Sequence, residues 1–371
     1  MSRLGRLGGH LYSGEVSVDF VGRRRLWYVI SGLVVVVAIA ALFLKPLNFG
    51  IEFEGGVEFR AKVPASMADP VPELQSAVAD TGLEDDPLVV TSGDDGVRIQ
   101  TESLSAAEIE TLTSAVEKAG ASDVSSDFVG PSWGKAIAQR ALIGLAVFLV
   151  LVVLFIGFYF REWKMSLAAL VALAHDVVIT VGVYALTGFE VTPATVTGLL
   201  TILGYSLYDT VVVFDKVREN TRGMASNSRR TYAESANLAV NQTLVRSINT
   251  TVAALLPVAA ILYVGVFQLG SGPLKDLALA LFVGMAAGAY SSIFIATPLL
   301  VQLKEREPAI RQQIRRVAAR RGEAPPPMVG EPAPAELGRS RPQRQRPMGQ
   351  QTGRRSQPQR TSRSQRSKGR R

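Results

Sequence analysis

The 371-residue chain is 47% hydrophobic and has a formal net charge of +8. Its apolar residues are concentrated in long blocks, which is typical of a membrane protein and not of a soluble domain. It contains no cysteine and two histidines, which excludes disulfide bonds, thiolate metal sites and histidine metal clusters.

The N-terminal segment, residues 1–25, is basic and ends in three consecutive arginines before the first apolar run. Residues 38–40 of that run read Ala-Ile-Ala, so a cleaved signal peptide is an alternative. The run continues to Leu44, however, and is long for a signal core. We therefore expect an uncleaved membrane anchor over residues 26–44.

Residues 45–136 are polar, and their pattern predicts the order strand, helix, strand, strand, helix, strand. This order is that of the ferredoxin-like split fold. The sequence therefore predicts a small α+β ferredoxin-like extracytoplasmic domain between the first two crossings. Residues 48–135 include 17 acidic and 5 basic side chains, which fits attraction of basic segments of a passing chain or plain solubility equally well.

Six apolar runs are long enough to cross a bilayer, because about 20 helical residues span its hydrocarbon core. They cover residues 26–44, 137–158, 165–186, 195–214, 244–267 and 274–301. Lysine and arginine are concentrated before the first run and in the short loops that follow the second and fourth. This distribution predicts a multi-pass protein of the cell membrane with both termini in the cytoplasm. The last five crossings form a predicted bundle over residues 137–303.

The C-terminal segment is basic, with 19 basic and 5 acidic residues from position 301 onward. It is rich in Arg, Gln, Pro and Ser, so it predicts a disordered basic cytoplasmic tail over residues 304–371. Binding to anionic lipid or RNA-rich surfaces is one interpretation, and a solvated tail that enforces topology is the other. No aromatic residues alternate with base-reading side chains, so no nucleic-acid partner is expected.

Asp209 is a carboxylate within the fourth apolar run, where an ionisable side chain is costly and is a functional candidate. Tyr205, Thr201 and Thr197 precede it at four-residue intervals and form a polar stripe that drifts round the helix. Packing between helices is the alternative explanation of the stripe. The presence of the Asp209 carboxylate favours a functional explanation of the stripe.

Two further polar residues lie within apolar runs. Asp176 is near the middle of the third run, where a proton relay and a helix–helix hydrogen bond are equally open. Arg246 opens the predicted fifth helix, and its side chain either extends to the headgroups or meets Asp209. Because burial raises the pKa of a carboxyl group and a guanidinium lowers it, a small movement between them would load or release a proton. Asp209, Arg246 and Asp176 are therefore the predicted proton-coupling residues.

Four stretches resemble the SecF type of the SecD/SecF family of bacterial protein export. They are VTPATVTGLLTILGYSLYDTVVVFDKVREN (191–220), FGIEFEGG (49–56), DFVGPSWGK (127–135) and RSINTT (246–251). The resemblance covers roughly residues 11–303. Glu52 and Glu54 stand where Asp and Thr are more usual in the family, and the C-terminal tail lies outside the resemblance.

The resemblance implies half of a transporter similar in fold to the resistance-nodulation-division (RND) exporters, with no cofactor and the proton gradient as its energy source. It implies that SecD supplies six further helices and that the pair works with the SecYEG channel. Proton flow would then draw an unfolded preprotein across the membrane after SecA has pushed it. Asp209 and Arg246 match the family's intramembrane aspartate and arginine.

Two other functions remain as alternatives. A stand-alone proton-coupled RND-type exporter would need a partner or a homodimer, because this chain has no internal repeat. An intramembrane aspartyl protease would use Asp209 with a second carboxylate, but Leu-Ala-His precedes Asp176 where Gly-x-Gly is expected.

Overall fold

Six long apolar helices dominate the structure, a computed structural model that describes residues 16–323 except 65, 68, 85–86, 94, 225–228 and 269–271. In chain order the elements are α1 (Arg24–Leu44), β1 (Asn48–Phe49), α2 (Ile51–Glu54), β2 (Gly56–Lys62), α3 (Pro70–Ala79), β3 (Leu88–Ser92), β4 (Gly96–Thr101), α4 (Ala106–Lys118), β5 (Ser122–Val129), α5 (Pro131–Phe160), α6 (Trp163–Thr187), β6 (Glu190–Val191), α7 (Pro193–Thr221), α8 (Tyr232–Phe267), α9 (Pro273–Ser291), a π-helical turn (Ser292–Ala296), α10 (Thr297–Lys304) and α11 (Pro308–Arg321).

The six candidate spans are α1, α5, α6, α7, α8 and the continuous helix Pro273–Lys304. Each is long and apolar enough to cross a membrane. The six predicted crossings are therefore confirmed at the level of helix length and composition.

A small α/β subdomain, from β2 to β5, lies between α1 and α5. Its four strands are ordered β3-β4-β2-β5, and every neighbouring pair is antiparallel. In the central strands β2 and β4, Val57, Phe59 and Ile99 are fully buried against Leu74 and Leu112 of the two helices. A second, two-residue ladder joins β1 to β6 in parallel, which places the start of this region beside the connection between α6 and α7.

Local sequence fixes where two of the site-bearing helices begin. The Thr192 side chain caps α7 by accepting from the Thr195 amide, and Pro193 occupies the first turn. Thr231 and Glu234 form a capping box at the start of α8. Because α8 begins there, Arg246 lies well inside the helix, and the prediction that it opens the fifth helix is wrong.

Glycines allow close contact between the membrane helices. A Cβ atom on Gly288 of α9 would lie 2.7 Å from the Ser206 Cβ atom of α7, and one on Gly182 of α6 would lie 2.3 Å from the Ala38 Cβ atom of α1. Small residues of this kind let membrane helices pack closely. The polar side chains of α6, α7 and α9 are thereby brought within hydrogen-bonding distance of one another.

The segment after the last span differs in part from the sequence prediction. Residues 304–371 were predicted to be disordered, but α11 is a helix that buries Ile314 and Val317. Its short apolar face packs although the surrounding composition is highly basic. Residues 324–371 and residues 1–15, which include most of the predicted tail and N-terminal segment, lie outside the described residues.

Candidate proton-binding site

Asp209 lies inside the bundle and is 6% exposed. Its Oδ1 atom accepts a hydrogen bond from the Ser247 hydroxyl of α8 at 2.6 Å. Its Oδ2 atom accepts one from the Ser292 hydroxyl at 2.5 Å. Counting 1.5 Å per residue from Pro193 places Asp209 about 24 Å along α7, in the half away from the α/β subdomain.

Asp176 is more deeply buried, at 1% exposed, near the middle of α6. Its Oδ2 atom accepts hydrogen bonds from the hydroxyls of Ser206 at 2.5 Å and Ser291 at 2.9 Å. The His175 Nδ1 atom lies 3.2 Å from its other oxygen. A buried carboxylate with three polar neighbours has its desolvation partly offset by hydrogen bonds.

The two carboxylates accept hydrogen bonds from adjacent serines. Ser291 and Ser292 are adjacent in the chain, and each donates to a different carboxylate. The π-helical turn Ser292–Ala296 begins at this point, and such wide turns often mark functional sites. Ser206, which bonds Asp176, lies on the same helix as Asp209.

Arg246 does not contact Asp209. Its guanidinium donates to the Tyr208 hydroxyl at 3.0 Å, and no hydrogen bond or ion pair joins it to Asp209 among the described residues. Tyr208 and Arg246 line a cavity of about 590 Å³ near the end of the bundle away from the subdomain. Asp215, which accepts from the Tyr159 hydroxyl at 2.5 Å, lies in the same cavity.

The predicted polar stripe is only partly next to Asp209. Thr197 and Thr201 are exposed, and each hydroxyl donates to a carbonyl oxygen one turn earlier in its own helix. The Tyr205 hydroxyl is buried and has no hydrogen-bond partner among the described residues. Thr197, Thr201 and Tyr208 thus form an exposed polar face of α7, while Asp209 points into the bundle.

Sequence reasoning missed the four serines that hold the carboxylates. Ser206, Ser247, Ser291 and Ser292 are each at most 1% exposed. A serine in an apolar helix is unremarkable by itself, so the signals were the Ser291-Ser292 pair and the presence of Ser206 and Ser247 in two of the family-like stretches. Within the described ranges, no group of three or more His, Cys, Asp or Glu side chains is placed to hold a metal ion.

Comparison with known families and proteins identifies relatives over most of the chain. The family model "Protein export membrane protein SecD/SecF, C-terminal" matches residues 108–306, and the "SecD/SecF GG Motif" model matches residues 40–63. The first match includes both buried carboxylates and all four serines. The second includes Gly55 and Gly56, whose positive φ angles of 85° and 144° favour glycine.

Several individual proteins are similar. The chain is 51% identical over 326 residues to "Protein translocase subunit SecF" of Streptomyces coelicolor, covering 87% of this chain and 86% of that one. It is 44% identical to the Mycobacterium tuberculosis protein of the same name, over 86% of this chain and 76% of that one. The crystal structure of Thermus thermophilus SecDF, described as a translocon-associated membrane protein, matches with a TM-score of 0.69 and 31% identity. That match covers 78% of this chain but 39% of the SecDF chain.

Proposed function

The chain belongs to the SecD/SecF family of protein-export membrane proteins and is of the SecF type, and we propose that it uses the proton-motive force to promote protein translocation through SecYEG after SecA-driven insertion. Its relatives are subunits of a translocase and not enzymes in their own right. The protease alternative therefore has no support from the relatives.

The observation that carries the proposal is the buried Asp209 held by two serine hydroxyls and not by a cation. A serine hydroxyl donates to an ionised carboxylate and accepts from a protonated one, so the network accommodates both charge states. An arginine in direct contact would favour the ionised state alone. In this conformation Asp209 is suited to take up a proton.

Arg246 is proposed as the group that releases the proton. Its guanidinium donates to the hydroxyl of Tyr208, the residue that precedes Asp209 in the sequence. It also borders the cavity of about 590 Å³. A shift of its guanidinium from Tyr208 to Asp209 would stabilise the ionised carboxylate and expel the proton towards that cavity. Asp176 is proposed as a second proton-coupling carboxylate, because its donor Ser291 is adjacent in the chain to Ser292, which donates to Asp209.

SecD is the proposed partner within the membrane. The chain corresponds to 39% of the SecDF chain, and the remainder of that chain has no counterpart here. The exposed face of α7 carries Thr197, Thr201 and Tyr208, which is polar for a surface against lipid acyl chains. We infer that SecD covers this face, that lipid surrounds the apolar faces of α1 and α5, and that the complex engages SecYEG, the unfolded preprotein and, indirectly, SecA.

The α/β subdomain is proposed to be a ferredoxin-like domain outside the cytoplasm, with both termini inside. The strand order β3-β4-β2-β5, with one helix after the first strand and one after the third, supports that fold. Arg161 lies between α5 and α6 and Lys164 lies in the first turn of α6, at the end of the bundle away from the subdomain. Positive charge in short loops supports a cytoplasmic position for that end.

Export of a reporter precursor into inverted membrane vesicles tests the proposal. Asp209→Asn keeps the side-chain volume but cannot ionise, so we expect loss of the gradient-dependent component with ATP-dependent export intact. Glu110→Gln, an exposed acid on α4 of the subdomain and away from that cavity, is the matched control. Full gradient-dependent export by Asp209→Asn would refute the proposed role. Self-association without SecD on purification would instead favour the stand-alone exporter.

A further inference from the structure

A buried ionic cluster joins the α/β subdomain to the membrane helices. Arg98 of β4 donates to Glu58 of β2 at 3.2 Å and to Glu190 of β6, and all three side chains are at most 9% exposed. Gln100 also donates to the Glu58 carboxylate, at 3.4 Å. We call Arg98, Glu58 and Glu190 the Arg98 cluster.

Glu190 places the cluster next to the two helices that carry the buried carboxylates. It lies on the short connection between α6, which carries Asp176, and α7, which carries Asp209. In the sequence, the subdomain is connected directly to α1 and α5. It is not connected directly to α6 or α7. Within the described residues, Arg98 makes the only ion pair between the subdomain sheet and that connection.

The two carboxylates of the cluster hold Arg98 in different ways. Glu58 belongs to the same sheet and is further fixed by Arg60, whose Nε atom lies 2.7 Å from it. Glu190 belongs to the membrane bundle. Because separation from Arg98 would leave the buried Glu190 carboxylate without its cation, Glu190 and the sheet are expected to move together.

The surroundings reinforce this constraint. The parallel ladder pairs Asn48 with Glu190 and Phe49 with Val191, and the Gly50 amide donates to the Val191 carbonyl at 3.1 Å. This ladder joins the connection to the segment before the subdomain and not to the subdomain sheet itself. The ionic cluster is therefore the direct link from the α6–α7 connection to the sheet.

We propose that Arg98 is a positioning residue that transmits rearrangement of α6 and α7 to the α/β subdomain through Glu190. The inference rests on the proposed function, in which protonation of Asp209 changes its hydrogen bonds to Ser247 and Ser292. A displacement of α7 reaches Glu190 within three residues of the start of the helix. Arg98 transmits this displacement to the two central strands, β4 and β2. The subdomain then moves as a rigid unit, because its core is buried.

The first experiment removes each partner in the assembled complex with SecD. Arg98→Met and Glu190→Gln are each expected to lower gradient-dependent export about fivefold or more, the scale of a coupling free energy, while ATP-dependent export is unchanged. The double variant should be no worse than either single one, because both remove the same link. Lys62→Met is the matched control, since Lys62 lies on the same strand as Glu58 but pairs with Asp123 outside the cluster, and its side chain is 61% exposed. It should export normally.

A covalent link distinguishes transmission from folding. Because the chain has no cysteine, Arg98→Cys/Glu190→Cys provides one defined thiol pair for a short bifunctional maleimide. Uncrosslinked, this variant should export like Arg98→Met; crosslinked, it should recover gradient-dependent export. Recovery also excludes a folding defect as the cause of the loss.

Two results would overturn the proposal. One is normal gradient-dependent export by Arg98→Met; the other is a crosslinked variant that stays inactive although it assembles with SecD. Asp209→Asn assayed in parallel separates this failure from that of the proposed function. If Asp209→Asn loses gradient-dependent export while Arg98→Met retains it, only the role of Arg98 is refuted.

Discussion

Ser291 and Ser292 are consecutive residues that donate to carboxylates on two different helices, Ser291 to Asp176 on α6 and Ser292 to Asp209 on α7. Consecutive residues of a regular α-helix point about 100° apart, so one helix can serve two neighbours only if it packs between them. Gly284 and Gly288 provide that closeness on the side facing α7. Both carboxylates are therefore hydrogen-bonded to neighbouring residues of the last span.

The Ser292 hydroxyl is expected to be a functional hydrogen-bond donor to Asp209. Ser292→Ala leaves Asp209 with one hydroxyl donor fewer in a buried site, which should cost about 1–3 kcal/mol of stability and lower gradient-dependent export. Ser292→Thr retains a hydroxyl and should retain most of the activity. Thermal unfolding of the purified complex and vesicle export measure the two effects. Equal behaviour of the Ala and Thr variants would contradict a role for the hydroxyl.

Gly288 is expected to be intolerant of a side chain. Gly288→Ala places a Cβ atom 2.7 Å from that of Ser206, so α7 and α9 must separate and the bond from Ser206 to Asp176 must lengthen. Overpacking of this kind typically costs about 1–3 kcal/mol. Gly144→Ala in α5 is the control, because nothing lies within 4 Å of its added Cβ atom. An unfolding temperature for Gly288→Ala equal to that of Gly144→Ala would show that the contact is loose.

The sequence identified the two buried carboxylates of the site but not their hydrogen-bond donors. Asp176 and Asp209 are recognisable because a carboxylate in an apolar run is rare. Their serine donors are not, because a serine is tolerated at many positions of a membrane helix and only tertiary packing selects its acceptor. Arg246 illustrates the same limit: Tyr208 and Asp209 are neighbours in sequence, yet they point to different sides of α7. The helix α11 was missed because its short apolar face is embedded in an arginine-rich composition.

Substitutions of Arg246 and Tyr208 are expected to lower gradient-dependent export to different extents, although the two side chains are hydrogen-bonded to each other. If Arg246 acts by reaching Asp209, Arg246→Gln should lower gradient-dependent export by about tenfold, within the range of a coupling free energy. Tyr208→Phe removes one hydrogen bond at an exposed site, worth about 0.5–1.5 kcal/mol, and should change export little. Vesicle export with and without the gradient measures both. Equal losses would indicate that the Arg246–Tyr208 bond itself is the functional contact.

Glu52 is expected to make stability depend on pH. Burial raises the pKa of Glu52, and the neighbouring carboxylates of Glu190 and Glu58 add to the increase. Since the pKa is higher in the folded state than in the unfolded state, the stability from this group is present below the unfolded value, about 4.3, and is lost as pH rises through the folded value.

Glu52→Gln should therefore raise the unfolding temperature at neutral pH and have little effect near pH 4. Glu54→Gln is the control on the same short helix, where the side chain is exposed. A gain for Glu52→Gln that is the same at both pH values would assign the effect to something other than titration.

The exposed polar face of α7 is expected to be needed for assembly and not for folding. Thr201→Leu makes that face more like a surface against lipid. Among the described residues, the Thr201 hydroxyl bonds only to the Thr197 carbonyl of its own helix. The isolated subunit should therefore unfold at an unchanged temperature, while the amount of SecD that co-purifies with it should fall. Leu142→Thr on α5 is the reciprocal control, because Leu142 is 67% exposed on an apolar helix. It makes a face proposed to contact lipid more polar and should leave SecD recovery unchanged. If Leu142→Thr lowers SecD recovery and Thr201→Leu does not, the partner covers α5 and the polar face of α7 needs a different explanation.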